Sequence, residues 1–152
     1  MEIITKNSIE TQKLGENLAK EILAGDLRKS ATVLALSGDL GAGKTTFLQG
    51  FAKGLGIKEN ILSPTFVIMK KFKIPHSSFK IRDTRFTYFF HFDCYRLNDA
   101  QEVLSLGFAE IISNPKNIVA IEWPEKIDGV LPKDNIKITL NHLKENKREI
   151  II

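Results

Sequence analysis

The segment from residue 38 to residue 45 reads Gly38-Asp39-Leu40-Gly41-Ala42-Gly43-Lys44-Thr45. It matches in full the pattern G-x-x-x-x-G-K-[ST], whose backbone cradles phosphate groups. Its glycines allow a tight turn, so that the amides of the loop and of a following helix point at a phosphate, where the helix dipole favours negative charge. The segment therefore predicts a phosphate-binding loop between a strand and a helix.

Two side chains of this loop carry the chemistry of a nucleotide site. Lys44 is predicted to place its charge at the β- and γ-phosphates of ATP, and Thr45 to offer its hydroxyl oxygen to Mg²⁺. Thr46 adds a further hydroxyl and amide. The predicted phosphate-binding positions are Gly38, Gly41, Ala42, Gly43, Lys44, Thr45 and Thr46.

The elements around the loop follow the order strand, loop, helix. Residues 32–37 are mostly apolar and are bounded by polar residues and glycine, which is typical of a buried strand. Apolar residues from Phe47 to Leu55 recur at helical spacing, and this helix is expected to stop at Gly56. These flanks disfavour the alternative, a glycine-rich turn that contains Gly-Lys-Thr by chance.

Shorter patterns predict the other elements. An amphipathic helix is expected from Asn7 or Ser8 to Gly25, and a second helix over residues 99–106 with Asn98 as its cap. Aromatic and β-branched runs predict a hairpin of residues 65–72 with residues 86–92. They also predict a buried strand over residues 117–122 and a second hairpin of residues 135–140 with residues 148–152. The expected fold is a single ATP-binding domain over residues 1–152, an α/β, P-loop NTPase-like three-layer fold with a central mixed β-sheet flanked by helices.

Two of the predicted strands end in an acidic residue, Asp93 and Glu122. Because an open α/β sheet binds its ligand at the carboxyl ends of its strands, both acids are candidates to hold Mg²⁺ or to orient a water. The alternative for either is a solvated carboxylate at a strand end. Glu122 is the preferred candidate. The predicted catalytic residues are Lys44, Glu122 and Asp93, and the predicted metal ligands are Thr45, Glu122 and Asp93.

Two neighbours of these acids have less specific interpretations. His91 alternates with phenylalanines and is interpreted as a hydrogen-bonded, half-buried histidine rather than a catalytic base. Trp123 follows Glu122 and is a candidate to stack on a base or a partner, with core packing as the alternative.

The net charge of +4 is unevenly distributed. The segment from Lys70 to Arg85 holds six basic residues and one acidic residue, interleaved with phenylalanines. Such a segment can engage the phosphates and bases of a nucleic acid, or it can be a solvated hairpin whose phenylalanines pack on the sheet. No apolar run approaches membrane-spanning length, and the lone Cys94 has no partner for an internal disulfide, so a reducing cytoplasm is expected.

The loop alone leaves several classes of nucleotide-binding protein open. A GTPase is disfavoured because neither D-x-x-G after the loop nor the guanine-reading N/T-K-x-D occurs. A kinase of a small metabolite normally closes an arginine-rich lid over the phosphates, and arginines are few here. An ATPase, such a kinase, and a module that only needs ATP bound are the alternatives.

Five sequence blocks resemble one family closely. They are Leu14-Gly15 in the first helix, the loop from Gly38 to Thr46, Ser63-Pro64-Thr65-Phe66, His91-Phe92-Asp93-Cys94-Tyr95-Arg96-Leu97, and Ile121-Glu122-Trp123-Pro124-Glu125. In this order they resemble the bacterial TsaE (YjeE) family of tRNA threonylcarbamoyladenosine biosynthesis ATPases. The resemblance covers nearly the whole chain, although residues 71–87 are longer and more basic than the usual turn.

The resemblance implies an Mg²⁺-dependent protein that binds and hydrolyses ATP while docked on the TsaB-TsaD heterodimer, with tRNA reached only through that complex. It implies that Thr45 and Glu122 are magnesium ligands. It also implies that Ser8 and Arg148 lie beside the nucleotide. Residues 63–66, with Ser63 and Thr65, are implied to form a switch-like segment that senses the γ-phosphate.

Overall fold

The computed structural model describes residues 1–63, 67–76 and 85–152. The strands in these ranges are β1 (Glu2–Thr5), β2 (Thr32–Ser37), β3 (Met69–Lys73), β4 (Tyr88–Asp93), β5 (Asn117–Glu122), β6 (Ile136–His142) and β7 (Arg148–Ile151). The helices are α1 (Ser8–Ala24), α2 (Lys44–Gly54), α3 (Gln101–Leu104) and α4 (Phe108–Ser113), followed by a 3₁₀ helix over Pro124–Ile127. The described strands form one sheet in the order β1-β7-β6-β2-β5-β4-β3.

The sheet is mixed, as the sequence predicts. Its centre is parallel, because β2 pairs with both β5 and β6 and β5 also pairs with β4 in that orientation. The two margins are antiparallel, through β1 with β7, β7 with β6, and β3 with β4. This arrangement brings the carboxyl ends of β2, β4 and β5 to the same edge, where the phosphate-binding loop begins.

Two apolar cores lie on opposite faces of the sheet. Along β2, Leu34 and Leu36 belong to the core that includes Phe47 of α2, whereas Val33 belongs to the core that includes Phe108 of α4. Successive strand residues point to opposite faces, so a strand of continuous apolar residues serves both cores. Helices therefore cover both faces, which is the three-layer arrangement expected.

Helices α1 and α2 pack through glycines at very short range. A Cβ atom added at Gly50 would lie 1.9 Å from the carbonyl oxygen of Gln12, and one added at Gly15 would lie 2.2 Å from the carbonyl oxygen of Phe47. Both contacts are with backbone, which has little room to move. The close approach holds α2, and with it the end of the phosphate-binding loop, against α1.

Several predicted boundaries need correction. Of the two predicted caps of α1, Asn7 is the one observed, since its side chain accepts from the Glu10 amide at 2.9 Å. Asn98 does not cap a helix: its backbone N–H donates to the Glu102 carboxylate, and the helix starts later, at Gln101. The expected helix ends early because Gly107, at φ 80°, turns the chain into α4, which the sequence analysis did not predict.

The predicted hairpin of residues 65–72 with 86–92 is present as the antiparallel pair β3 and β4. Strand β3 begins only at Met69, since residues 67 and 68 are not part of a strand, and residues 65–66 lie outside the described ranges. Strand β1 was not predicted. It has four residues, and pairing with β7 at the sheet margin defines it.

Part of the basic segment lies on the sheet margin. Lys70, Lys71 and Lys73 are exposed on β3, and Phe72 and Phe86 belong to the core, as expected of a hairpin that packs on the sheet. Phe79, Lys80, Arg82 and Asp83 lie outside the described residues, so the nucleic-acid interpretation of the segment stays a prediction. No helix in the part of the chain described here combines the length and apolar character that a membrane crossing requires.

Candidate functional site

The phosphate-binding loop connects the end of β2 to the start of α2. Gly43 has φ 104°, in the left-handed region that favours glycine, and a Cβ atom there would lie 2.9 Å from Nε of Arg148. The Phe47 amide donates to the Gly43 carbonyl at 2.9 Å, so the first turn of α2 begins directly after the loop. The loop therefore leads into a helix N-terminus, which is a site for anions.

Lys44 is the buried cation of the site, with 5% of its surface exposed. Its Nζ donates to the carbonyl oxygens of Gly38 at 2.5 Å and Asp39 at 3.0 Å. The same atom lies 4.3 Å from the centroid of the Trp123 ring. Burial lowers the pKa of the Lys44 ammonium, while the negative charges of Glu122 and Asp93 oppose that change.

Glu122 ends β5 and is 3% exposed. Its Oε1 accepts from Thr45 Oγ1 at 3.3 Å and is 2.9 Å from Nε2 of His91. Sequence reasoning expected a half-buried histidine, whereas His91 is fully buried, because both core faces of β4 are covered. Thr45, in the first turn of α2, is thus hydrogen-bonded to the residue that ends β5.

Asp93 ends β4 beside Glu122 and is 7% exposed. Its Oδ2 accepts from Ser63 Oγ at 2.5 Å, and its Oδ1 accepts from the Tyr95 amide at 3.0 Å. One carboxylate therefore holds the residue before the 64–66 segment and the turn after β4. Neither acid is the solvated strand-end carboxylate of the alternative interpretation.

These groups surround a cavity of about 330 Å³. Its walls are formed by Leu40, Gly41, Gly43, Lys44, Thr45, Thr46, Ser63, Asp93, Tyr95, Glu122, Trp123 and Arg148. The structure therefore brings together residues that the sequence analysis took from four separate blocks.

Some predicted positions do not line the cavity. Gly38 contributes its carbonyl to Lys44 and is not in the cavity wall, and Ala42, although part of the loop, is fully buried. Ser8 is the exposed first residue of α1 and is also outside the wall. Thr65 lies outside the described residues.

Sequence reasoning missed Tyr95 and Leu40 as parts of the wall. The Tyr95 ring centroid lies 4.9 Å from that of Trp123, and Trp123 has a left-handed backbone with φ 60°. That backbone conformation aims the ring at Lys44 instead of continuing β5. The sequence feature that could have indicated Tyr95 is its position two residues after Asp93, where a turn keeps the chain close to the end of β4.

Arg148 begins β7 and lies against the loop. Its Nη1 donates to the Asn146 carbonyl at 2.6 Å, whereas its buried Nε has no hydrogen-bond partner among the described residues. Since Arg148 is in the cavity wall, its guanidinium is placed to donate to a bound anion.

The donor set of the cavity suits Mg²⁺ in the presence of a phosphate ligand. Thr45, Asp93 and Glu122 offer hard oxygen atoms, the ligand type that Mg²⁺ prefers. Within the described ranges, no cluster of three or more histidine, cysteine, aspartate and glutamate side chains could hold a metal ion. Mg²⁺ sites in proteins commonly use one or two carboxylates and complete their shell with phosphates and waters.

Comparison with known proteins gives a consistent result. The model of the family described as threonylcarbamoyl adenosine biosynthesis protein TsaE matches residues 5–150. The chain is 37% identical over 147 residues to a tRNA threonylcarbamoyladenosine biosynthesis protein TsaE from Rickettsia felis, covering 96% of this chain and 75% of that protein. It is 35% identical over 149 residues to the protein of that name from Bacillus subtilis, covering 96% and 80%.

A third relative with the same name, from Treponema pallidum, is 30% identical over 152 residues and is covered to 99%. Among solved structures, the crystal structure of Bacillus subtilis YdiB superposes with a TM-score of 0.72 at 30% identity, covering 99% of this chain and 82% of that one. The similarity extends over the entire sheet and both helical layers.

Proposed function

This chain belongs to the TsaE family, and from that premise we propose that it binds ATP with Mg²⁺ and hydrolyses it, as a subunit needed for threonylcarbamoyladenosine biosynthesis in tRNA. The partner in this proposal is the TsaB-TsaD heterodimer, through which the protein reaches tRNA. The observation that carries the proposal is the meeting of Lys44, Thr45, Glu122 and Arg148 around one cavity.

The loop and α2 would hold the phosphates. The left-handed Gly43 lets the chain turn closely around an anion, and the first amides of α2 donate towards it. Lys44 supplies positive charge at the β- and γ-phosphates once it exchanges carbonyl contacts for phosphate oxygens. Arg148 adds a second cation beside Gly43.

Thr45, Glu122 and Asp93 would hold Mg²⁺. The ion, when bound, would offset the negative charge of the phosphate oxygens. Glu122 would also orient a water for attack, because it lines the same cavity as the residues that would hold phosphate. Asp93 orders Ser63 and the turn at Tyr95, so its contribution includes shaping the wall.

Phosphate release measured with and without TsaB-TsaD tests the proposal. We expect purified chain plus the heterodimer to release phosphate from ATP faster than the chain alone, in an Mg²⁺-dependent manner. Transfer of γ-phosphate label to a metabolite by the chain alone would instead establish the kinase alternative. Release that stays at background with the complete complex would leave only the role of a module that requires bound ATP.

A further inference from the structure

His91 is a polar residue within the aromatic run of β4. On β4 it stands between Phe90 and Phe92, and no part of it is exposed to solvent. Its Nε2 lies 2.9 Å from Glu122 Oε1, and its buried Nδ1 has no hydrogen-bond partner among the described residues. A phenylalanine would fill the same layer and leave no polar atom without a partner. What the imidazole adds is a donor to Glu122.

The direction of this hydrogen bond follows from its acceptor. An ionised carboxylate can only accept, so Nε2 carries the proton and donates it to Oε1. Since no described residue gives Nδ1 an acceptor, the neutral ring with its proton on Nε2 fits the surroundings better than the opposite tautomer.

The two oxygen atoms of Glu122 have different surroundings. Oε1 accepts hydrogen bonds from Thr45 Oγ1 and His91 Nε2, whereas no described residue donates a hydrogen bond to Oε2. Two donors on one oxygen fix the rotation of the carboxylate and leave the other oxygen for a ligand. Because Glu122 is 3% exposed, the histidine supports it from the interior of the sheet, where water does not compete.

We infer that His91 is a positioning residue, which fixes the Glu122 carboxylate by the Nε2 hydrogen bond so that Oε2 is presented to Mg²⁺ or to the attacking water. The inference rests on the proposed function for its kinetic consequence. Its structural part, the tautomer and the hydrogen bond, is independent of turnover. Groups that orient a ligand in this way typically change metal affinity or activity by about 10- to 100-fold when removed.

Two substitutions separate the hydrogen bond from packing. His91→Gln keeps a donor that can reach Oε1, whereas His91→Phe keeps a ring of similar size and removes the donor. With TsaB-TsaD present, we expect His91→Phe to lower kcat about 10- to 100-fold with little change in the KM for ATP, and His91→Gln to recover most of it. The exposed His76 offers the control His76→Gln, which should retain the wild-type kcat.

A second measurement does not depend on turnover: the binding of Mg²⁺ and ATP is monitored by the fluorescence of Trp123, the single tryptophan of the chain. The apparent Mg²⁺ affinity should weaken about tenfold in His91→Phe and recover in His91→Gln. Wild-type kcat and Mg²⁺ affinity in His91→Phe, or equal losses in both variants, would overturn the inference.

Nuclear magnetic resonance of the ¹⁵N-labelled ring decides the structural part. We expect a proton on Nε2 of His91 and none on Nδ1, with the Nε2 resonance shifted in Glu122→Leu. A proton on Nδ1 alone would refute the positioning role even if the protein is an ATPase. Absence of turnover in the wild-type complex, together with the expected spectrum, would refute the proposed function and leave the positioning of Glu122 in place.

Discussion

Asp93 and Glu122 are direct neighbours across two parallel strands, paired in register at the ends of β4 and β5. The two acids have different partners. Glu122 is joined to Thr45 and His91, whereas Asp93 is joined to Ser63 and the backbone at Tyr95. The Glu122 carboxylate is thus connected to α2, and the Asp93 carboxylate to Ser63 and the turn after β4. This difference supports the preference for Glu122 as the acid that acts on metal and water.

Replacing each acid by its amide tests that preference. We expect Glu122→Gln to lower kcat by about 100-fold or more while ATP affinity stays near wild type, since in the proposed function the acid acts on metal and water and not on most of the triphosphate. Asp93→Asn should have the smaller effect on kcat. The measurements are phosphate release with TsaB-TsaD and ATP titration of each variant. Loss of turnover in Asp93→Asn alone would reverse the ranking.

Removing the loop cation should affect binding as well as turnover. In Lys44→Ala we expect the Kd for ATP to rise about 10- to 100-fold, because hydrogen bonds from a charged donor are lost, and turnover to disappear. Lys53→Ala provides the control, since Lys53 lies on the same helix with its side chain 76% exposed. Titration with ATP, monitored by Trp123 fluorescence, should distinguish the Lys44→Ala variant from the Lys53→Ala variant. Equal affinities in both variants would argue against the site.

The parts of the site that depend on local sequence could be predicted. The loop, strands β2 and β5, and the acids at two strand ends are each set by a short pattern of residues, and both strands have the predicted bounds, residues 32–37 and 117–122. Family resemblance added Ser63 and Arg148, which no local pattern indicated. Both lie in the cavity wall.

What could not be predicted depends on how distant segments meet. The hydrogen bond from His91 to Glu122 requires the register of β4 on β5, and the tilted contact between the Tyr95 and Trp123 rings requires the turns that follow both strands. The short β1 has no alternation of its own and forms because β7 offers a partner. Gly50 looked like an ordinary helix residue, since the backbone of α1 that excludes a side chain there is 38 positions away at Gln12.

The contact at Gly50 predicts a large cost for a small substitution. Gly50→Ala would place Cβ 1.9 Å from the Gln12 carbonyl oxygen, so α1 and α2 must separate. We expect the free energy of unfolding to fall by about 3 kcal/mol, as for a severe case of overpacking. Gly129→Ala is the matched control, because an added Cβ there meets no atom within 4 Å. Urea unfolding should distinguish them, and similar stabilities would contradict the close packing of the two helices.

Cys94 predicts a specific loss of stability at alkaline pH. Burial, with the nearby charges of Asp93, Glu125 and Glu122, raises the pKa of its thiol from 9.0 to about 12. Above pH 9 the unfolded chain therefore releases this proton while the folded chain keeps it, so stability falls as pH rises towards the folded pKa. By pH 10.5 the raised pKa of the thiol should lower the free energy of unfolding by about 2 kcal/mol.

Cys94→Ala lacks this contribution, so its stability, although lower at neutral pH from lost packing, should decline less steeply between pH 8.5 and 10.5. Urea unfolding of both proteins under reducing conditions measures the two slopes, and parallel slopes would show that the thiol ionises in the folded protein as readily as in the unfolded chain.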